Sequence, residues 1–269
     1  AGIGARFRAG PDDHEAMPAN RKDQALDVVR QSVRPAFDKS HCLHAAEERE
    51  REVDSLNAIG ETYQMLGDHQ RASNLFLESL SLARSINSRA RQTTALINLG
   101  GAYQDLGEAE KSLEHLETAL ELSLAAGALQ AQASAHINIG VAFANIDEPQ
   151  RALEHFSRAM AIHQSTGNNR AKSMVGANLA STYSALGEYE KALAGYQEAL
   201  TIVRAANYSP GIATTLVNIG VVYLDMGDPR KALEVLNEAL PLARSAGDRA
   251  SEAGALGGLG DAYYGLGDP

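Results

Sequence analysis

Residues 98–108 read Asn-Leu-Gly-Gly-Ala-Tyr-Gln-Asp-Leu-Gly-Glu, and the frame of this phrase returns every forty residues. It stands at Asn138-Ile139-Gly140 with Phe143 and Ile146-Asp147-Glu148. It stands again at Asn178-Leu179-Ala180 with Tyr183 and Leu186-Gly187-Glu188, then at Asn218-Ile219-Gly220 with Tyr223 and Met226-Gly227-Asp228. The first copy is Ala58-Ile59-Gly60 with Tyr63 and Leu66-Gly67-Asp68, and the last is Gly258-Leu259-Gly260 with Tyr263 and Leu266-Gly267-Asp268. Six copies hold register without insertion or deletion. That identifies a repeat array before any secondary structure is assigned.

Each unit reads as two helices, here termed A and B. Leu96, Leu99, Tyr103 and Leu106 fall at helical spacing along helix A, as do Leu216, Ile219, Tyr223 and Met226. Gly67, Gly107, Gly187 and Gly227 supply the left-handed residue that closes a helix, and Asp147 takes that place in the third unit. The acid that follows sits at the start of helix B, and Pro149 and Pro229 occupy an early position where a missing N–H costs nothing. Helix B alternates small and large residues, as in Ala152, Phe156, Ala159 and Met160. The spacing predicts A helices over 89–106, 129–146, 169–186, 209–226 and 249–266. It predicts B helices over 69–86, 109–126, 149–166, 189–206 and 229–246. The expected fold class is all-α, a right-handed α-solenoid of helical hairpins.

Composition agrees and narrows the function. Ala and Leu dominate an apolar fraction of 44%, a helix-forming vocabulary. The formal charge of −10 repels phosphates and anionic lipid, which argues against nucleic acid and membrane surfaces as partners. No run of about 18 apolar residues is present. The single cysteine, Cys42, forbids an internal disulfide and fits a reducing compartment, so a cytoplasmic location is expected.

The Leu, Gly, Tyr, Ala, Phe/Leu and Ala spacing resembles the tetratricopeptide repeat over about 49–269. The units are 40 residues rather than the usual 34. The Asn-Leu-Gly phrase is similar to the Leu-Gly-Asn repeats of spindle-orientation adaptors and to bacterial regulators whose repeats precede an effector domain. The family's Trp position holds Leu56, Leu96, His136, Gly176, Leu216 and Leu256. Gly176 inside a helix costs about 1 kcal/mol against Ala, and either loosens the fourth unit or marks a close backbone approach.

The resemblance implies that the stack curves, with A helices on its concave side, and that groove Asn residues bond a peptide backbone. Carried onto this sequence, the amides are Asn98, Asn138, Asn178 and Asn218, each with two donors and an acceptor. Ala58 and Gly258 lack the group. Around them the expected groove holds Gln64, Thr94, Gln104, Ser134, Val141, Ser181, Thr214 and Val221. The competing reading gives each Asn to a neighbouring helix. No groove position is basic, so a clamp for a terminal carboxylate is not expected. Glu61, Asp105 and Asp225 favour some positive charge on the ligand, and Val141, Val221 and Leu224 favour apolar side chains.

The expected function is a protein-interaction scaffold that holds an extended segment of a protein or peptide partner. The alternative is a sensor domain controlling an attached effector. No catalytic, metal or cofactor site is expected. His41-Cys42-Leu43-His44 lacks a fourth ligand, and His115, His155 and His163 have no paired Asp or Ser motif. Residues 1–20 read as a leader or linker, 21–45 as an N-terminal capping helix and 46–269 as the array, its last repeat cut short. The sixth helix A would then expose an apolar side open to self-association.

Overall fold

A left-handed residue follows every described helix, at the expected Gly67, Gly107, Asp147, Gly187 and Gly227 and also at Asn87, Gly127, Gly167, Asn207, Gly247 and Gly267. The computed structural model describes residues 41–267, with side chains from residue 47 onward. Among the described residues stand eleven helices and no strand. The A helices are α1 (His41–Met65), α3 (Arg89–Asp105), α5 (Leu129–Asn145), α7 (Asn169–Ala185), α9 (Ser209–Asp225) and α11 (Arg249–Gly265). The B helices are α2 (His69–Ser85), α4 (Ala109–Ala125), α6 (Pro149–Thr166), α8 (Tyr189–Ala205) and α10 (Pro229–Ala246). The expected bounds hold to within about a residue. At Gly107 φ is +77°, and at Asp147, where Asp replaces Gly, it is +62°. The N–H of Glu108 reaches back to the Tyr103 carbonyl at 2.8 Å and that of Gly107 to Gln104 at 2.9 Å, the bond pair that ends a helix at a left-handed residue.

The expected leader at 1–20 and residues 21–40 of the expected capping helix at 21–45 lie outside the described residues. From His41 the chain is one helix through residue 45 to Met65, so the first A helix begins earlier than its successors.

The chain divides into two compact units, one ending at Ile146 and the other beginning at Asp147. In the first, α1 pairs with α2 and α3 with α4, while α2 packs on α3 and α4 on α5. In the second, α7 pairs with α8 and α9 with α10, while α6 packs on α7, α8 on α9 and α10 on α11. Each unit is therefore a stretch of α-solenoid in which an A helix lies between B helices.

The phrase glycines explain how closely A and B approach. A Cβ on Gly100 would collide with Leu116 Cγ and Cδ2, and one on Gly60 with the Phe76 ring. At Gly220 the clash would be with Leu236, at 2.6 Å. Phe76, Leu116 and Leu236 are fully buried in the space the missing methyl leaves, each contributing about 1.5–3 kcal/mol. The fourth repeat reverses the arrangement. Ala180 replaces the glycine, and the opposing residue on α8 is Gly195, whose added Cβ would stand 3.1 Å from the Ala180 methyl. Gly176 is not itself a point of close approach, since a Cβ there meets only Met160 Cε at 3.7 Å. Its carbonyl faces Gly195 instead, 3.5 Å from that residue's added Cβ.

The A–B turn carries a repeated lock. Arg71, Lys111, Lys191 and Lys231 lie over the rings of Tyr63, Tyr103, Tyr183 and Tyr223 at 5.6, 5.4, 5.2 and 5.4 Å. Each cation also pairs with the acid opening its own B helix: Asp68, Glu108, Glu188 or Asp228. Only the two aspartates cap as well, accepting from Arg71 N and Lys231 N. These four tyrosines thus pack at the A–B turn.

At α11 that packing stops. Leu256 is 46% exposed where Leu96 and Leu216 are 1% and 2%, and Tyr263 is 44% exposed where Tyr63 is 6%. A Cβ on Gly260 would meet nothing within 4 Å.

Candidate functional site

Within each unit, successive A helices pack on one another: α1 on α3, α3 on α5, α7 on α9 and α9 on α11. Among the described residues no B helix packs to a similar extent on the next B helix. The A side is therefore the inner side of each unit, and the predicted groove residues lie on A helices.

Their bonding differs from repeat to repeat. Asn98 Nδ2 donates to Glu61 Oε1 of α1 at 3.2 Å, so this amide's donor is engaged by a neighbouring helix. Gln64 Nε2 donates to Asp105 Oδ2 at 2.6 Å, and His69 Nδ1 lies 3.3 Å from the same oxygen. Gln104 Nε2 donates to the Asn138 carbonyl at 2.7 Å. These cross-links tie α1 to α3 and α3 to α5.

Asn138, Asn178 and Asn218 are different. All three are half-buried, and among the described residues their side-chain amides have no hydrogen-bond partner. Val141 is half-buried beside Asn138. In the second unit Asn178 is flanked by exposed Met174 and Ser181, and Asn218 by exposed Thr214 and Val221. Ser181 also bonds the Tyr196 phenol, which burial nevertheless pushes up to about 12. The hydroxyls of Thr94 and Thr214 bond carbonyls one turn back, at Ala90 and Pro210. Thr214 further pairs with Ser251 Oγ across to α11 at 2.9 Å. Ser134 is half-buried. Asp225, at the end of α9, has its carboxyl raised by burial.

The first unit also contains a depression of about 470 Å³ that spacing did not reveal. Thr93, Thr94, Ile97 and Asn98 of α3 form one wall, and Gln130, Ala131 and Ser134 of α5 the other. Ala126 and Ala128 of the intervening turn, with Ala90, close its end. Its volume lies in the range of about 300–1,000 Å³ common for ligand pockets. Register analysis marks positions such as Thr94 and Ser134 but is silent on a space that exists because several neighbours are alanine.

Among the described residues no three His, Cys, Asp or Glu side chains are grouped to hold a metal ion. The side chains of His41, Cys42 and His44 lie outside that set. Burial lowers the pKa of His115, His155 and His163, which favours their neutral form. No described helix is long and apolar enough to cross a membrane.

Tetratricopeptide repeat profiles match residues 53–90, 91–165 and 169–245. The chain belongs to the tetratricopeptide repeat family. The array is similar in fold to BtubC (BKLC) from P. vanneervenii, with 20% identity over 85% of this chain and 91% of that one and a TM-score of 0.69. It is also similar to a signal transduction ATPase with numerous domains (STAND) that carries a tetratricopeptide repeat sensor, from Pyrococcus horikoshii. There the identity is 15%, the TM-score 0.70, and the match covers 93% of this chain but 38% of the other. A Rap protein complexed with competence and sporulation factor matches at 16% identity over 93% and 74% of the two chains, with a TM-score of 0.60. At these identities the likeness establishes the tetratricopeptide solenoid fold. No curated protein sequence matches the chain. Tetratricopeptide arrays as a class serve protein–protein interaction.

Proposed function

We propose that this tetratricopeptide array is a non-enzymatic scaffold whose A-helix faces hold an extended segment of a protein partner. The supporting observation is the set of amides at one register, Asn138, Asn178 and Asn218, half-buried and without a partner in their own chain. A partly buried amide with unused donors and acceptor gains by meeting a peptide backbone, whose groups alternate in the same way. Exposed Met174 and Val221 favour apolar side chains on the partner, and the chain's charge of −10 favours a basic one. Asn98 keeps its oxygen and one N–H for the partner, since Glu61 accepts from the other N–H.

Peptides selected from a displayed random library on the native protein supply the ligand for the test. Each lost bond is worth about 0.5–1.5 kcal/mol, so Asn178→Ala with Asn218→Ala should weaken a selected peptide by roughly 5- to 150-fold. Unchanged affinity in a variant with native circular dichroism would remove the amides from the contact.

A sensor role within a larger signalling protein is the second reading. Its support is the fold likeness to the STAND protein's repeat sensor. Reading the parent gene on both sides of the sequence for an effector domain tests it.

A further inference from the structure

The depression between α3 and α5 has same-register counterparts at the other junctions between successive A helices of each unit. At the α1–α3 junction Ala90, Thr94 and Ala131 correspond to Glu50, Asp54 and Arg91. There Arg91 fills the gap: its Nη1 lies 3.2 Å from Glu50, and its Nε and Nη2 each bond Asp54 at 2.9 Å. At the α7–α9 junction Ala90 and Ala128 correspond to Arg170 and Tyr208. The Arg170 guanidinium lies 5.7 Å over the Tyr208 ring. That ring lies against Gly211, the counterpart of Ala131, where an added Cβ would stand 2.5 Å from Tyr208 Cδ1. At the α9–α11 junction Thr214 and Ser251 bridge the same place. Three of these four junctions thus carry contacts between the chain's own side chains at this place. The fourth, walled by Ala90, Ala128 and Ala131, is open.

We propose that the open α3–α5 junction receives one aromatic side chain of a basic partner segment. The inference rests on the peptide-binding reading above and adds the residue class that the peptide must carry. The α7–α9 junction shows what suits this geometry: a half-exposed aromatic ring lying against α9, with a cation from α7 over its face. At the open site the chain supplies neither ring nor cation, because Ala128 and Ala90 stand in their places. The charge around the site is complementary to an incoming cation. Residues 41–146 hold fourteen Asp and Glu against seven Lys and Arg. One of those acids, exposed Glu61, bonds the wall residue Asn98. The walls are alanine methyls and Ile97, with Thr94, Asn98 and Ser134 providing polar groups for the partner's backbone.

The probe is the tripeptide amide N-acetyl-Lys-Phe-Lys, compared with N-acetyl-Lys-Ser-Lys, titrated into protein labelled at Ala and Ile methyls. Saturable shifts should appear at Ala90, Ile97, Ala128 and Ala131 with the Phe peptide at millimolar concentration, and at least about tenfold weaker with the Ser peptide. The paired variant Ala128→Tyr with Ala131→Gly copies the Tyr208 and Gly211 plug and should abolish them. If that variant does not fold, contacts between the Phe ring protons and the Ala90 and Ala131 methyls of the native protein decide the matter. The absence of saturable shifts, equal response to the two peptides, or shifts that persist in the folded plugged variant would overturn the proposal. The tripeptide is read out at α3–α5 in the first unit, whereas Asn178 and Asn218 lie in the second. Its failure therefore counts against the cavity alone, whereas failure of the Asn178 and Asn218 test counts against the amide row.

Discussion

Replacing Gly100 with alanine puts two effects in opposition, and the structure decides the winner. In an open helix the change gains about 1 kcal/mol of helix propensity. Here the new methyl lands on Leu116, and the colliding atoms include Cγ, close to the root of that side chain. Leu116 is fully buried, so it cannot swing out into solvent. Overpacking of this kind costs about 1–3 kcal/mol, so the net effect is destabilising, by up to about 2 kcal/mol. Gly176→Ala is the internal control. Its methyl meets only Met160 Cε at 3.7 Å, so the propensity gain of about 1 kcal/mol should survive almost whole. Urea titration followed by circular dichroism should show the midpoint falling for Gly100→Ala and rising for Gly176→Ala. In thermal melts each kcal/mol should move Tm by about 2–4 °C. Leu116→Ala alone should cost about 2–5 kcal/mol, and less when Gly100→Ala is present, because the added methyl then enters vacated space. If Gly100→Ala is as stabilising as Gly176→Ala, the account of how the hairpins close is wrong.

Acid should weaken the fold through its histidines. His115, His155 and His163 have folded-state pKa values lowered by burial, so below about pH 6.5 the unfolded chain binds more protons than the folded one. Their contribution is fully present above that pH and is lost as pH falls toward the folded values. Tm should therefore drop between pH 7.5 and 5.5, with a shallower slope in His163→Ala; a flat profile would contradict this. Exposed Leu256 and Tyr264 on α11 favour self-association. Molar mass by light scattering should rise with concentration in the native protein and less so with Leu256→Ser and Tyr264→Ser together; a constant mass removes the idea.

Helix boundaries were legible in the sequence because they are set locally. A left-handed Gly, or Asp147 in its place, stops a helix wherever it stands, and the forty-residue frame repeats the signal. The register of the amide row was legible for the same reason. Whether each amide is free was not, because it depends on residues distant in sequence. Glu61 claims Asn98 from 37 positions away, while Asn138, Asn178 and Asn218 have no such neighbour. Gly176 drew attention as the odd glycine, yet the close approach is made by Gly195, which only the opposing Ala180 explains. The α3–α5 depression arises from three alanines whose counterparts elsewhere include Arg91, Arg170 and Tyr208. It becomes visible only when the junctions are superposed in register.

The amide row is the central claim, and the side-chain NH₂ resonances of its members report on it directly. Titrating a selected peptide into ¹⁵N-labelled protein should move the Asn178 and Asn218 side-chain signals of the second unit downfield and slow their exchange with water. If the peptide binds while both signals stay at their free positions, the partner is held elsewhere and the account fails.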